Sequence, residues 1–556
     1  MEFKRIAEVL DAVSETSKRR EKISLVSSLL KEVPKSEVEA AALLLGGRIF
    51  AETDEQTLNI SWKGLLNALH NIIEFDDKDL STLYEGDTGE AIAALVVSKK
   101  HTLQELLFRE ELTIAGVMSE LTRLASVKGK GSIKEKQAGI SRLMAEASPR
   151  ELRYITALIL NDMRTGLSGG LLAESIAEAF SIDGDTVRRA WSFSGDIGYV
   201  ARVAAEGGRS GVEKITINLL TPIKPMLATS ADMDYFENLA SNTEFAFELK
   251  LDGARVQIHK DQEDIRIFSR QLSDVTESLP DIVDIVRENL RVNRCILDGE
   301  VIAIDDSGKP FPFQVVMTRF GRTREVKEAH QNTKLHLLLF DILLQEDQSL
   351  VDEPYSRRRN ILEENIPSEF IVERLVSSDI NEVTQFFAKS QELGHEGLVA
   401  KTLDSPYFPG VRGKYWLKLK HTLEAMDLVI VAAEWGHGRR SKWLSDYHLA
   451  VRDDDTGEFV TIGKTYKGLT DDEFEKMTQD LKNLEITSHR HVVQVRPEIV
   501  VEVLAAEIQK SPTYSSGYAL RFARIINIRE DKGPQDVMTL QELEILFDKQ
   551  FRYKAR

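Results

Sequence analysis

The stretch Glu248-Leu-Lys-Leu-Asp-Gly-Ala-Arg255 sets one lysine among two acids and an arginine. Alternate residues of a strand share a face, so Glu248 and Lys250 point one way and Phe247, Leu249 and Leu251 the other. Asp252-Gly253 between two alternating runs signals a two-residue hairpin, which would set Leu251 against Ala254 and Lys250 against Arg255. Two cations placed opposite each other are unfavourable unless an anion lies between or above them. A phosphate would resolve the conflict; so would a structural ion pair with Glu248, and hairpin geometry alone leaves both open. As a nucleophile, Lys250 must first lose its proton. From an ordinary pKa of about 10.4, roughly one lysine in 2500 is neutral at pH 7, a handicap of about 4.6 kcal/mol. Nearby cations and desolvation reduce that handicap, whereas a carboxylate such as Glu248 increases it.

Other segments add side chains of the same kind. Tyr415-Trp-Leu-Lys-Leu-Lys420 alternates, which puts Trp416, Lys418 and Lys420 on one strand face. His395-Glu-Gly-Leu-Val-Ala-Lys401 is an apolar strand with one carboxylate near its start, and Leu297-Asp-Gly-Glu-Val-Ile-Ala303 brings Glu300 just after a turn. Phe340-Asp341 ends an apolar run, and Ser269-Arg270 follows another strand. Taken singly, each is as readily a solvated strand residue or a salt bridge.

The elements that must position these groups fall into three stretches. Up to about residue 215 the chain is rich in Ala, Leu and Glu and poor in Pro, with apolar residues at helical steps such as Ile155, Leu158 and Ile159. From 220 to 421 strand-like runs mix with helices, which predicts an α+β domain. Beyond His421, short strands surround one helical run, DDEFEKMTQDLKNL, and predict a small barrel containing one helix. The expected boundaries are 1–217, 218–421 and 422–556.

At 556 residues the chain exceeds what one core supports. No apolar run is long enough for a membrane span, so no membrane partner is expected. The single cysteine, Cys295, can form neither an internal disulfide nor a cysteine zinc site, in keeping with an intracellular, reducing compartment. The net charge of −18 weighs mildly against a nucleic-acid partner, but local patches matter more than totals.

Taken in order, KLDGAR at 250–255, SR at 269–270, DGE at 298–300, FD at 340–341, HEGLVAK at 395–401, WLKLK at 416–420 and RFARIINIREDK at 521–532 form a specific series. It resembles the covalent nucleotidyltransferases, and among them the ATP-dependent DNA ligases of the archaeal and eukaryotic replicative type. The resemblance covers nearly the whole chain. It implies an all-α DNA-binding domain, a nucleotidyltransferase (adenylation) domain and an OB-fold domain. The implied reaction has three steps: Lys250 takes AMP from ATP, AMP passes to the 5′-phosphate of a nick, and the 3′-hydroxyl displaces it.

By the same resemblance Glu248 reads adenine through backbone and side chain, while Phe340 stacks on the base. Arg255, Arg270 and Glu300 contact ribose and phosphate, and Arg412, Lys418 and Lys420 complete a phosphate cage. Glu300 and Glu396 are the candidate Mg²⁺ ligands. Arg521, Arg524 and Lys532 would orient pyrophosphate, which requires the last domain to close over the cleft and to swing away from a hinge near His421. In that last motif Ala523 replaces the usual proline, and Ile525 and Asn527 stand where phenylalanine and arginine are common, which puts the geometry of those arginines in question.

Nicked duplex DNA is the implied partner. Gly131, Ser132, Lys134 and Lys136 open a lysine-rich helix suited to a DNA phosphate, and Arg164 lies in a second such turn. Lys464 belongs to a basic loop of the last domain. The alternative for each helix start is an ordinary capped surface helix. Gln104-Glu-Leu-Leu-Phe108 resembles a shortened sliding-clamp binding box, with an amphipathic helix as an equal alternative. A monomer is expected, in the cytoplasm or on the nucleoid. The rival readings are an RNA ligase or mRNA-capping enzyme of the same superfamily, and a DNA clamp that has lost catalysis. A single cysteine argues against an NAD-dependent ligase.

Overall fold

The computed structural model describes residues 1–84, 87–99, 111–239, 243–318, 334–421, 423–436, 440–489, 491–550 and 554. The candidate clamp box at 104–108 lies outside them. Helices run from Phe3–Glu15 to Ile197–Val212 around one apolar core that includes Ile6, Leu44, Leu121, Ile155 and Ile176. Pro149–Leu160 shows why these segments are helical. Ser148 and Glu151 form a reciprocal capping box, Pro149 occupies the first turn, and Asn161 ends the helix in the left-handed region. Its Ile155, Leu158 and Ile159 are all buried, as their spacing requires.

The middle of the chain builds two five-stranded sheets. One is ordered β1 (Leu227–Ser230), β10 (Arg412–Lys420), β9 (Gly397–Thr402), β2 (Phe245–Lys250) and β8 (Arg374–Ser377). The other is ordered β4 (Asp264–Ser269), β3 (Ala254–Asp261), β5 (Arg294–Ile304), β6 (Lys334–Gln345) and β7 (Gln348–Ser349).

The hairpin expected at Asp252-Gly253 does not form. Both edges of β2 are taken by β9 and β8, and both edges of β3 by β4 and β5, so the two residues carry the chain from one sheet to the other. Gly253 is needed for the tight passage, since a Cβ there would lie 2.4 Å from the Val301 carbonyl oxygen. Lys250 therefore faces Gly397, and Arg255 faces Glu300.

The last part of the chain is β-rich around a core of Leu428, Tyr447, Phe474 and Val501, with the helix Asp471–Asn483 packed on it. Its main sheet runs β13 (Phe459–Thr465), β12 (Leu444–Arg452), β11 (Met426–Trp435), β15 (Val492–Val495) and β14 (Glu485–His489). β16 (Val500–Leu504) also pairs with β11 and with β19 (Arg524–Ile528), whereas β17 (Glu507–Lys510) and β18 (Tyr518–Arg521) pair only with each other. Among the described residues the strands do not close into the expected barrel, because no backbone ladder joins that two-stranded ribbon to either sheet edge.

Polar contacts tie the helical part to the middle. Lys224 lies 2.6 Å from Glu52 and over the Trp191 ring, and Arg189 grips Asp352 with two hydrogen bonds of 2.8 and 2.7 Å. No helix among the described residues is long and apolar enough to cross a membrane.

Candidate active site

Lys250 ends β2, where the strand leaves the core, and its side chain is one-fifth exposed. Gly397 is the cross-strand neighbour of both Lys250 on β2 and Lys420 on β10. Its φ of +135° and a would-be Cβ only 2.1 Å from the Leu419 carbonyl oxygen make any side chain there untenable. Glu396, just before it, reaches both amines: Oε2 is 2.7 Å from Lys250 Nζ and in close contact with Lys420 Nζ. Burial alone would raise the Glu396 pKa, but the two ammonium charges outweigh it and hold it at about 2. Lys418, two residues before Lys420, is pushed below the usual lysine range, first by burial and then by the charges of Lys420, Arg412, Lys250 and Arg270. Four of the expected phosphate-facing cations thus share one electrostatic neighbourhood with Lys250, with Arg270 and Arg412 exposed.

Arg255 and Glu248 stand differently from their expected roles. Arg255 turns to Asp298 through two hydrogen bonds, Nε to Oδ1 at 3.0 Å and Nη2 to Oδ2 at 2.6 Å, and also donates to the Met226 carbonyl. Its guanidinium lies 5.4 Å from the Phe340 ring and 5.6 Å from that of Trp416. The buried Glu248 carboxylate pairs with Lys401 at 2.6 Å and Arg359 at 3.0 Å, and accepts the Tyr355 hydroxyl at 2.6 Å. These three hold Glu248, whereas the carboxylate in contact with the candidate nucleophile is Glu396. Lys401 lies beneath a three-ring wall of Phe340, Trp416 and Tyr355, at 4.7, 4.3 and 5.0 Å from their centroids.

The carboxylates fit a hard divalent cation. Glu396 Oε2 is buried and has no partner at hydrogen-bonding angles, its lysine contacts being ionic. The Glu300 carboxyl is pushed up to about 8 by burial, an effect that Glu396 and Asp252 reinforce and Lys250 and Arg255 oppose. A cation beside Glu300 would offset the cost of its buried charge, whereas Glu396 would have to exchange an ammonium partner to ligate it. No cluster of three metal-ligating side chains exists among the described residues, so Mg²⁺ would need waters or phosphate oxygens for its remaining ligands.

The last motif reaches this site in part. A cavity of about 160 Å³ is lined by Asp252, His395, Glu396 and Lys420 on one side and by Arg521, Phe522 and Lys554 on the other. Arg521 packs 5.1 Å from the Phe313 ring and pairs with Glu507 at 3.3 Å. Arg524 is exposed on β19, and Lys532 is held by Asp427, so neither joins the cavity lining. Where the family has proline, Ala523 is buried and its carbonyl accepts the Thr465 hydroxyl at 2.6 Å. Ile525 fills the core, and Asn527 donates to Glu502 at 2.6 Å.

The DNA candidates separate in the same way. Gly131 caps the helix Ser132–Glu146 at φ +94°, and Lys134 is exposed, but Lys136 turns inward and donates to the Leu58 carbonyl at 2.7 Å. Lys136 is thus an anchor for the 55–64 segment rather than a surface contact. Arg164, at φ +47°, pairs with Asp162 at 2.7 Å, and Lys464 pairs with Glu434, which also meets His448 at 2.8 Å.

Sequence reasoning missed Asp298, Tyr355, Arg358, Arg359 and Tyr407 as parts of the site's frame. The run of three arginines at 357–359 was the one available signal: Arg358 is fully buried against Asp341, and Arg359 against Glu248.

Comparison with known proteins settles the family. The chain matches models for the ATP dependent DNA ligase domain over 225–420, the DNA ligase N terminus over 2–172 and the ATP dependent DNA ligase C terminal region over 440–532. It is 40% identical to the DNA ligase of Thermococcus fumicolans over 561 residues, covering 100% of both chains. It is 42% identical to DNA ligase 1 of Korarchaeum cryptofilum over 555 residues, covering 99% of each. The solved structure Pmar-Lig_PreS3 shares the fold at 17% identity with a TM-score of 0.57, over 94% of this chain and 99% of that one. The chain belongs to the ATP-dependent DNA ligases.

Proposed function

We propose that Lys250 is the residue through which this ATP-dependent DNA ligase seals nicks. Its Nζ, having given its proton to solvent, attacks the α-phosphorus of ATP as the bond to the β-phosphate breaks, and pyrophosphate leaves. AMP then moves from Lys250 to the 5′-phosphate of a nick, and the 3′-hydroxyl displaces it. The observation that carries this reading is the clustering of Lys250, Lys418, Lys420, Arg412 and Arg270 about one half-open site, where they repel one another until phosphates arrive.

In this reading Glu396, a very weak base, orients the lysine rather than taking its proton. Phe340, Trp416 and Lys401 form the purine slot, with Glu248 holding Lys401 and Arg255 backing the rings. Glu300 and Glu396 hold Mg²⁺, which when bound neutralises phosphate charge. Arg521 faces the leaving pyrophosphate while the last domain is closed. The domains are assigned as 1–217, 218–421 and 422–556, the last of OB-fold type despite its open sheet. Gly131, Ser132 and Lys134 meet the DNA backbone. Arg164 and Lys464 join them when phosphate displaces their carboxylates, in an intracellular monomer.

Mass spectrometry after ATP and Mg²⁺ tests the assignment. One AMP is expected on the peptide containing residue 250, and none in Lys250→Ala, which still binds nicked DNA. Nick sealing undiminished in that variant overturns it, and label acquired from GTP alone overturns the nucleotide.

A further inference from the structure

The phenol of Tyr407 is only 1% exposed, yet it touches three separate pieces of the site. Its hydroxyl donates to Asp298 Oδ2 at 2.6 Å. It accepts the Met226 N–H at 3.0 Å and one Arg255 N–H at 3.2 Å. Burial, and then the Asp298 charge, hold this phenol well above its ordinary pKa, so it stays a donor to the carboxylate.

Asp298 and Arg255 belong to the β3–β5 sheet, which also carries Glu300. Met226 leads into β1, and Tyr407 itself lies in the loop joining β9 to β10, two strands of the sheet that carries Lys250, Lys418 and Lys420. The hydroxyl is thus bonded to both halves of the cleft. The ring adds a second fastening, edge-on to Trp416 at 5.7 Å between centroids.

We infer that Tyr407 is a positioning residue for lysine adenylation: through its hydroxyl it fixes the sheet bearing Lys250 against the sheet bearing Arg255 and Glu300. This inference rests on the ligase reading above. A nucleotide lying across the cleft must meet its purine wall and its phosphate cage at once, so a shift between the sheets misaligns the attacking amine without removing a single ligand. A misplacement of about 1 Å costs on the order of 100-fold in rate. A residue that only stabilised the fold would change the melting temperature and leave the rate of the folded protein alone.

The test is single-turnover formation of lysyl-AMP from labelled ATP by the full chain, with Mg²⁺, alongside thermal melting. Tyr407→Phe keeps the ring and loses the hydroxyl; Tyr407→Leu loses both. The phenylalanine variant is expected to label about 10- to 100-fold more slowly at saturating ATP, at temperatures where melting shows it folded. Asp298→Asn, which weakens the same link from the opposite sheet, should slow labelling too, and the double variant should be no slower than the worse single one. Wild-type speed in Tyr407→Phe, with only Tyr407→Leu impaired, leaves ring packing as the whole role and overturns the inference. So does a rate loss that merely follows the unfolded fraction. Should Tyr407→Phe not fold, wild-type speed in Asp298→Asn overturns it equally. A native chain that takes no label from ATP instead refutes the ligase assignment of Lys250.

Discussion

Glu248 and Lys250 are two residues apart, yet their side chains answer to different partners. Glu248 neutralises Lys401 and Arg359 inside the fold, whereas Lys250 meets Glu396 at the edge of the cleft. The first network is structural in its energetics. Removing Lys401 takes one of two cations from a buried carboxylate, and breaking a buried pair in this way costs about 3–5 kcal/mol. Lys401→Met is therefore expected to lower stability by that amount in chemical denaturation; a loss below about 1 kcal/mol would show Glu248 to be satisfied without it.

His259 offers a pH test at the same scale. It is fully buried, accepting from the Leu220 N–H at 3.1 Å and meeting Gln257 at 2.9 Å, and burial pulls its pKa down to about 3. A histidine whose pKa falls on folding contributes stability that is complete above about 6.5 and is lost as pH drops. Between pH 6.5 and 5 this one group should account for about 2 kcal/mol of lost stability. His259→Gln should lose less over that range, as followed by melting curves at each pH. That Lys250, Glu396, Lys418 and Lys420 lie close together was legible from the ordered series of motifs. The pairing of Glu396 with Lys250 was not, because a counter-ion far along the chain leaves no trace in local spacing.

At the scale of elements, Asp-Gly between two alternating runs is sound hairpin chemistry, and it misled here for a global reason. β2 and β3 each find two other neighbours, so the turn residues serve a crossing between sheets. The alternation itself was right, with Phe247, Leu249 and Leu251 together in the core of the first sheet. The closed barrel expected beyond His421 does not form among the described residues: its β-rich character was readable, but closure depends on ladders between distant strands, which composition does not encode. Gly397 is where an element meets the chemistry most directly. Gly397→Ala should cost at least about 2 kcal/mol from its φ alone, and more from the contact with Leu419. It should also separate Lys250 from Lys420. Loss of lysyl-AMP formation at temperatures where the variant stays folded is the expected result, and normal adenylation would show the strand register to be tolerant there.

Across the whole molecule, Arg521 and Phe522 of the last motif line one cavity with Glu396 and Lys420, the neighbours of Lys250. Of the cations in that motif only Arg521 contributes to the lining, which makes it the one to test for the proposed role in expelling pyrophosphate. Arg521→Ala should slow adenylation by ATP roughly 100-fold while leaving the sealing of a pre-adenylated nick close to normal. Equal losses in both assays would place the arginine in general folding or DNA binding instead.

The carboxylate of Glu396 is shared by two ammonium groups, which leaves that trio with one positive charge in excess. In the proposed reaction, once AMP is attached to Lys250 its nitrogen is neutral and the new phosphoramidate carries a negative charge. The same small volume then holds one cation against two anions, and its sign has reversed. The loaded enzyme therefore presents an electronegative trio to the strand end it must activate. Lys418, Arg412 and Arg270, none of them bound to that carboxylate, are left to draw in the next phosphate against this reversed field.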